Sequence, residues 1–290
     1  MTALKAAIIP NPTKAGAIEF AQKAAELIER CGGTALMLDE FRADFAENKN
    51  IEFFNNTEPM IKSCDIVIAV GGDGTIINAA KYACAEDRPI LGVNFGRIGF
   101  VAQLEPSELF KLKAIINGKY KTEKRMMLKA EIITANGEKS VYYALNDVVI
   151  SRGSYSRILD FTIGHNDREI CSYRADGLIF STPTGSTAYS LSAGGPVVEP
   201  TMDCIVFTPV CTHSLFSRPI VFSADSVLSV AAGCGESCEA IVTVDGQISK
   251  KLCEGDIVKI SRAERAVRLI ITNEKTFYSV LGDKLNRRTE

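Results

Sequence analysis

The chain has 290 residues, 46% of them hydrophobic and 23% charged, with a net charge of −2 at pH 7. Such a composition suits a water-soluble globular protein able to build one large core or two ordinary ones. It excludes the basic field that nucleic acid or an anionic membrane surface would need, and no lysine or arginine run supplies one locally. No apolar stretch reaches the roughly 18 residues that span a bilayer. The opening stretch MTALKAAIIPNPTKAG is too short in apolar residues for a signal peptide, and Pro10 and Pro12 cut it off. Nine cysteines are scattered without framework spacing, several in apolar strand-like runs (Cys204, Cys211, Cys253), where a cysteine acts as a small hydrophobe. Cys234 and Cys238 of CGESC have no second Cys/His pair after them, and only His165 and His213 are available as imidazole ligands. A reducing, cytoplasmic setting follows as the expectation.

The chain opens with alternating strands and helices. LKAAIIP reads as a short buried strand, and AGAIEFAQKAAELIERCGG as an amphipathic helix with Ile18, Ala21, Ala25 and Ile28 on one stripe. TALMLD is a second strand and CDIVIAV a third, which runs into the glycine turn GGDGT (Gly71 to Thr75). TIINAAKYACAE is the helix after that turn, RPILGVNFG a fourth strand, and EPSELFKLKAIINGKY a helix-like segment. This βα alternation predicts a parallel sheet with helices on both faces, whose ligands collect at the carboxyl ends of the strands.

From about Lys121 the rhythm becomes strand-like, with hairpin signals at Asn136-Gly137 and Asp245-Gly246. One helical interruption stands out, TGSTAYSLSAGG (Thr184 to Gly195). The expected fold class is an α/β N-terminal domain, 1–120, followed by a β-rich domain, 121–272, with the tail 273–290 packing back on the first. There is no internal repeat, low-complexity segment or disordered linker.

Two segments carry the chemistry. In GGDGT a strand, glycines and a helix start free backbone N–H groups toward a phosphate. The turn fits neither G-x-x-x-x-G-K-[ST] nor G-x-G-x-x-G, and differs from both by its acid. A carboxylate beside a phosphate cradle repels phosphate unless it meets Mg²⁺ or accepts a proton from an attacking hydroxyl. On local sequence Asp73 has two readings, that chemical one and a helix N-cap. The second segment runs from Tyr173 to Pro200. The strand GLIFS leads into Thr182-Pro183-Thr184-Gly185-Ser186-Thr187, expected to expose hydroxyls and N–H groups, and then into a helix of small residues. Asp176 lies just upstream.

GGDGT, LNDVVISRG and DGLIFSTPTGSTAYSLSAGGPVV together resemble the NAD kinase family. NPTK, GVNFGRIGF, HSLFSRPIV and VDGQ match in order and spacing, so the resemblance runs from Pro10 to at least Gln247. GGDGT by itself is shared with diacylglycerol and sphingosine kinases and phosphofructokinases; STPTGSTAY is far more specific.

The resemblance implies transfer of a phosphoryl group from ATP to the 2′-hydroxyl of NAD's adenosine ribose, with a divalent metal, Mg²⁺, held mainly by the phosphates. It implies Asp73 as the catalytic base, and Asn11, Lys14, Gly71, Gly72, Gly74 and Thr75 around the phosphates. NAD contacts would come from Asp73, Gly74, Asn146, Asp147, Asp176, Thr187, Ala188, Tyr189 and Ser192, with Arg157, Arg174 and Gln247 toward the pyrophosphate or the opposite ribose. For several of these a plainer reading stands beside it. Lys14 reads also as a solvent-exposed loop lysine, and Tyr189 as a core tyrosine. The arginines read also as a solvated strand face, and Gln247 as part of a hairpin turn. His213 reads as a structural histidine. The sequence departs from the family at Asp147, where glutamate is usual. A homodimer or homotetramer is the usual assembly of the family. Rival expectations are a lipid or sugar kinase sharing the GGDGT cradle, and a non-catalytic NADP sensor, which would need no base.

Overall fold

The computed structural model describes residues 3–46, 48, 50–96, 99–153, 158–213, 217–233, 239–272 and 276–286. In chain order its elements are β1 (Lys5–Pro10), α1 (Ala17–Arg30), β2 (Thr34–Leu38), β3 (Ile51–Phe54), α2 (Thr57–Lys62), β4 (Ile66–Gly71), α3 (Asp73–Ala85), β5 (Ile90–Asn94), α4 (Leu112–Ile116) and β6 (Lys121–Arg125). There follow β7 (Leu128–Ile133), β8 (Lys139–Ala144), β9 (Asp147–Arg152), β10 (Leu159–His165), β11 (Arg168–Ala175), β12 (Gly177–Ser181) and α5 (Tyr189–Ser192). The chain ends through β13 (Cys204–Val210), β14 (Ile220–Ser223), β15 (Leu228–Gly233), β16 (Ala240–Val244), β17 (Ile248–Leu252), β18 (Ile257–Arg262), β19 (Val267–Ile271) and α6 (Phe277–Asn286).

The chain divides into two compact units, Met1–Lys124 with Val267–Glu290, and Arg125–Ala266. In the first, a seven-stranded sheet has the order β3-β2-β1-β4-β5-β19-β6, and the pairs from β3 to β19 are parallel. Every residue of β4 is buried, as a central strand covered on both faces must be. Ala17, Phe20, Ala21, Ala24, Ala25 and Ile28 form the buried stripe of α1, a three-four spacing that packs on Ile8, Ile66, Ile68 and Val70. Ile18 lies at the edge of that stripe rather than on it. On the other face α2 packs on α3.

The sequence reading passed over β3 and α2, because four residues of half-buried strand and six of helix leave too short a period to see. The helix-like segment after Glu105 is a 3₁₀ turn, Pro106–Lys111, running into α4. Glu105 and Glu108 close a capping box at its start. The strand after the second unit, β19, joins the parallel sheet through Leu269 opposite Ile90, so the division falls at 266/267 where the sequence reading ended the β-rich region at 272. Its alternating Val267 and Leu269 find a buried place beside β5.

The second unit holds two antiparallel six-stranded sheets, ordered β11-β10-β15-β18-β7-β8 and β14-β13-β12-β9-β16-β17. Alternate residues share one core: Leu128, Phe161, Val230 and Val258 from the first sheet, with Val148, Phe180, Phe207 and Val242 from the second. Phe180 and Phe207 pack as a tilted ring pair with centroids 5.2 Å apart. Truncating either to alanine would cost roughly 3–5 kcal/mol.

The long helix expected over Thr184 to Gly195 is instead a 3₁₀ turn, Gly185–Thr187, and the four residues of α5. Ala188, at φ −95° and ψ −126°, breaks between them. Of the strand-like cysteines, Cys204 is buried, whereas Cys211 and Cys253 follow the ends of their strands and are exposed. Cys234 and Cys238 lie outside the described residues.

Candidate active site

In the first unit β1 leads back toward β2 while β4 leads outward to β5, so the chain order reverses between β1 and β4. Crevices at the carboxyl ends of such a strand pair are where open α/β sheets bind ligands. Asn11 follows β1 and Gly71–Thr75 closes β4, and the two meet there: Asn11 Nδ2 donates to Thr75 Oγ1 at 3.2 Å. The Asn11 N–H donates to the Val70 carbonyl at 2.8 Å, and Asn11 Oδ1 accepts from the Thr13 N–H and hydroxyl. Lys14 is half-buried and its N–H closes this turn on the Asn11 carbonyl.

Gly72 is the N-cap of α3, its carbonyl accepting the Thr75 N–H at 2.9 Å, and Asp73 is the first helical residue. Gly71 is buried and Gly74 exposed. The Asp73 side chain does not cap the helix. Its carboxylate points across to the chain after β5, where the Phe100 N–H donates to Oδ2 at 2.9 Å and the Val101 N–H to Oδ1 at 3.3 Å. A side chain at Gly99 would collide with this arrangement, its Cβ lying 2.1 Å from Asp73 Oδ1. Phe100 is itself packed against Phe277 of α6, ring centroids 5.9 Å apart. The carboxylate is thus half-buried and held by two backbone amides, with lone pairs left over.

In the second unit Asn146 and Asp147 enter β9 and are knitted to two distant segments. The Asp245 carboxylate accepts the N–H groups of Leu145, Asn146 and Asp147 at 2.8, 2.8 and 3.0 Å. The Asp245 N–H donates to the Asp147 carbonyl at 2.9 Å. Thr182 takes the remaining carbonyls, its hydroxyl donating to Leu145 at 2.6 Å and its N–H to Asn146 at 2.9 Å. Gly185 passes so near that a Cβ would lie 2.0 Å from the Asn146 carbonyl oxygen.

Asp147 is 6% exposed, and burial, with the Asp245 carboxylate as a lesser cause, pushes its pKa up to about 7. None of the hydrogen bonds among the described residues reaches the Asp147 carboxylate, which fits the upward shift.

The hydroxyls of the Thr182–Thr187 turn, expected to face outward, are mostly used inside it. Residues 181–186 are buried. Thr182 Oγ1 also accepts the Gly185 N–H, Ser186 donates to the Pro183 carbonyl and accepts the Val198 N–H, and Thr187 donates to the Thr184 carbonyl. Most buried hydroxyls are paired, and the tight turn offers its own backbone; the Ser181 hydroxyl at its entry is buried with no partner among the described residues. What remains outward are half-buried Thr187 and Ala188, Tyr189 at 48% exposed, and exposed Ser192.

The other sequence-derived residues make the following contacts. Asp176 accepts from Arg152 Nε at 2.8 Å. Arg174 stands on the edge strand β11, 67% exposed and opposite Asp160, its cross-strand partner. Gln247 is exposed and its N–H closes a turn on the Val244 carbonyl. His213 is exposed, its N–H donating to the Arg174 carbonyl. Arg157 lies outside the described residues. Asp245, Thr182 and Gly99 were missed as site-forming residues. Their partners are 98 to 100, 36 to 37 and 26 residues away along the chain, and no local pattern signals a contact at that range.

Among the described residues no helix is long and apolar enough to cross a membrane. The ATP-NAD kinase N-terminal domain family matches residues 6–120, and the ATP-NAD kinase C-terminal domain family matches residues 145–272. An NAD kinase of Acetivibrio thermocellus is 39% identical over 289 residues, covering 99% of both chains. Another, from Caldanaerobacter subterraneus, is 38% identical over 285 residues, 98% of this chain and 99% of that one. Among solved structures, an NAD kinase from Archaeoglobus fulgidus in complex with ATP superposes with a TM-score of 0.75 at 26% identity, covering 96% of this chain and 98% of that one. Yeast NADH kinase complexed with NADH shares the fold, with a TM-score of 0.90 at 23% identity over 98% of this chain and 87% of that one. With both domain families matched in order and relatives similar from end to end, the chain belongs to the ATP-NAD kinase family and is a phosphotransferase.

Proposed function

We propose that this chain transfers the terminal phosphoryl group of ATP to the 2′-hydroxyl of the adenosine ribose of NAD, making NADP, with Asp73 as the general base. The observation that carries this reading is the Asp73 carboxylate, held by the Phe100 and Val101 amides at the carboxyl end of β4 beside the chain reversal. A ribose hydroxyl is a poor nucleophile at neutral pH. As its oxygen bonds to the γ-phosphorus, Asp73 takes its proton, the bond from γ-phosphorus to the bridging oxygen breaks, and ADP leaves. Backbone N–H groups at the start of α3, with Asn11 and Thr75 fixing the turn, serve the phosphates.

Asn146, Asp147, Thr187, Ala188, Tyr189 and Ser192 serve NAD, Tyr189 through its exposed ring face as well as its hydroxyl. Asp176, Arg174 and Gln247 belong to the same proposed set. In Asp176 the contact to Arg152 would be shared with the ligand.

The donor set bears on the metal. Among the described residues no three His, Cys, Asp or Glu side chains gather closely enough to hold an ion. These residues fit Mg²⁺ that arrives on the triphosphate, since Mg²⁺ commonly keeps waters and binds through substrate phosphates, with Asp73 as the carboxylate at hand. When bound, Mg²⁺ spreads the charge of the transferred group.

The test is NADP formation from ATP and NAD by the purified chain, read with an NADP-specific dehydrogenase. Product that requires both substrates supports the reading. Tight NADP binding with no turnover would favour the sensor, and phosphorylation of a lipid instead of NAD would favour the lipid-kinase alternative.

A further inference from the structure

Leu145, Asn146 and Asp147 carry six main-chain polar groups, one N–H and one carbonyl each, and all six are taken by Asp245 and Thr182 alone. Two of the six continue the ladders of β9 with β12 and β16, Thr182 N–H to Asn146 and Asp245 N–H to Asp147, and the other four are made by side chains. Of those four, a single carboxylate takes three consecutive N–H groups. The same residue returns its own N–H to Asp147, so the contact is reciprocal. Asp245 adopts φ 50°, a left-handed conformation that aspartate tolerates and most residues do not. That backbone aims its short side chain into the 145–147 segment instead of outward from the hairpin tip.

The side chains of Asn146 and Asp147 are in the opposite condition. None of the hydrogen bonds described for these residues uses the Asn146 amide or the Asp147 carboxylate, although Asp147 is 6% exposed. A main chain with every polar group satisfied and side chains left for another partner is a preorganised presentation, which avoids ordering the segment at the moment of binding. Burial, and to a lesser degree the Asp245 carboxylate, raises the Asp147 pKa, as expected of a carboxyl with no hydrogen-bond donor among the described residues.

We propose that Asp245 is a positioning residue for NAD binding: its carboxylate, with Thr182, clamps the main chain of 145–147 so that Asn146 and Asp147 meet the adenosine part of NAD already oriented. This rests on the reading that those two side chains contact NAD. Asp245 itself touches neither substrate in this scheme and takes no part in the phosphoryl transfer.

Asp245→Asn is the direct test, because asparagine keeps the left-handed backbone but replaces one acceptor oxygen with a donor that opposes an N–H. Thr182→Val removes the hydroxyl bond to the Leu145 carbonyl at nearly constant volume while keeping the main-chain bond to Asn146, and Thr182→Ser restores the hydroxyl. The readouts are NAD KM, ATP KM and kcat in steady-state NADP formation, with the thermal midpoint of each variant. Asp245→Asn is expected to raise the NAD KM by about tenfold or more, the scale of losing a hydrogen bond to a charged group. Its ATP KM and its kcat at saturating NAD should stay near wild type. Thr182→Val should shift NAD KM in the same direction and Thr182→Ser should return it toward wild type. If Asp245→Asn fails to fold, the Thr182 pair carries the test. A wild-type NAD KM in these variants, whatever their thermal midpoints, overturns the clamp, and so does a loss confined to kcat. Wild-type turnover separates the two claims: an absent NADP signal in the unmutated chain sinks the NAD reading itself, whereas normal wild-type turnover with indifferent variants sinks only the role of Asp245.

Discussion

The two units solve the same problem in opposite directions. In the first, main-chain amides of Phe100 and Val101 hold a carboxylate, Asp73. In the second, a carboxylate, Asp245, holds the main chain of Leu145, Asn146 and Asp147. On the roles proposed above, the difference matches what each place would deliver. A group that accepts a proton must itself be fixed to within a fraction of an ångström, so the scaffold grips the side chain. A surface that recognises a ligand needs its backbone fixed and its side chains left for the partner.

The comparison breaks most sharply at Asp73. Asp73→Asn keeps the size of the side chain but cannot take the ribose proton, and kcat should fall by roughly 10²–10⁴-fold while NAD still binds. Steady-state rates at saturating ATP and NAD, beside calorimetric titration with NAD, check this. A gentler disturbance of the same grip is Gly99→Ala, which places a Cβ where Asp73 Oδ1 now lies. A displaced carboxylate should cost up to about 10²-fold in kcat, with NAD KM little changed. A wild-type kcat for Gly99→Ala would mean that the amide grip on Asp73 is irrelevant to turnover.

On the recognition side, Asp147→Ala should raise NAD KM by about ten- to a hundredfold, since a hydrogen bond to a charged group contributes roughly 1.5–3 kcal/mol. Asp147→Glu, which restores the family residue, should be milder. These rates belong above pH 7, where Asp147 is ionised. Ala188→Leu should weaken NAD binding by roughly tenfold, in line with overpacking costs of 1–3 kcal/mol, and leave the thermal midpoint nearly unchanged because Ala188 is only half-buried. Unchanged affinity would place Ala188 away from the ligand, and a collapsed midpoint would make it core.

The last expected effect is on stability and its dependence on pH. The Asp147 pKa lies at about 7 in the fold against an ordinary 3.8, so the native chain keeps a proton that the unfolded chain gives up. The stabilisation from that proton is full below about pH 4. It is lost as pH rises through 7, with no further change beyond. Urea unfolding of wild type and Asp147→Asn from pH 4 to 8 should show the difference in favour of the variant growing with pH. A pH-independent difference would contradict the buried-acid account.

Much of this was legible in the residues. The alternation of buried strands and amphipathic helices foretold the parallel sheet, and GGDGT foretold a tight turn into a helix at the end of β4. Asn136-Gly137 foretold the hairpin between β7 and β8. Short elements were invisible: Ile51–Phe54 and Thr57–Lys62 are too brief for periodicity to separate from loop. The segment after Thr184 read as one helix because small residues suit one, yet its hydroxyls bond the local backbone and break it into turns. The deeper gap lies in long-range pairing. Asp245 looked like an ordinary hairpin residue, and on local sequence Asp73 read equally as a base and as a helix cap, because nothing near them in the chain names Leu145 or Phe100 as partners.

The division of labour is tested most directly by kcat and NAD KM measured side by side for wild type, Asp73→Asn, Asp147→Ala and the double variant, using ATP-dependent NADP formation. The expected result is a loss in kcat alone for Asp73→Asn, a rise in NAD KM alone for Asp147→Ala, and both changes together in the double variant. A wild-type kcat in Asp73→Asn at saturating ATP and NAD would contradict the account at its centre.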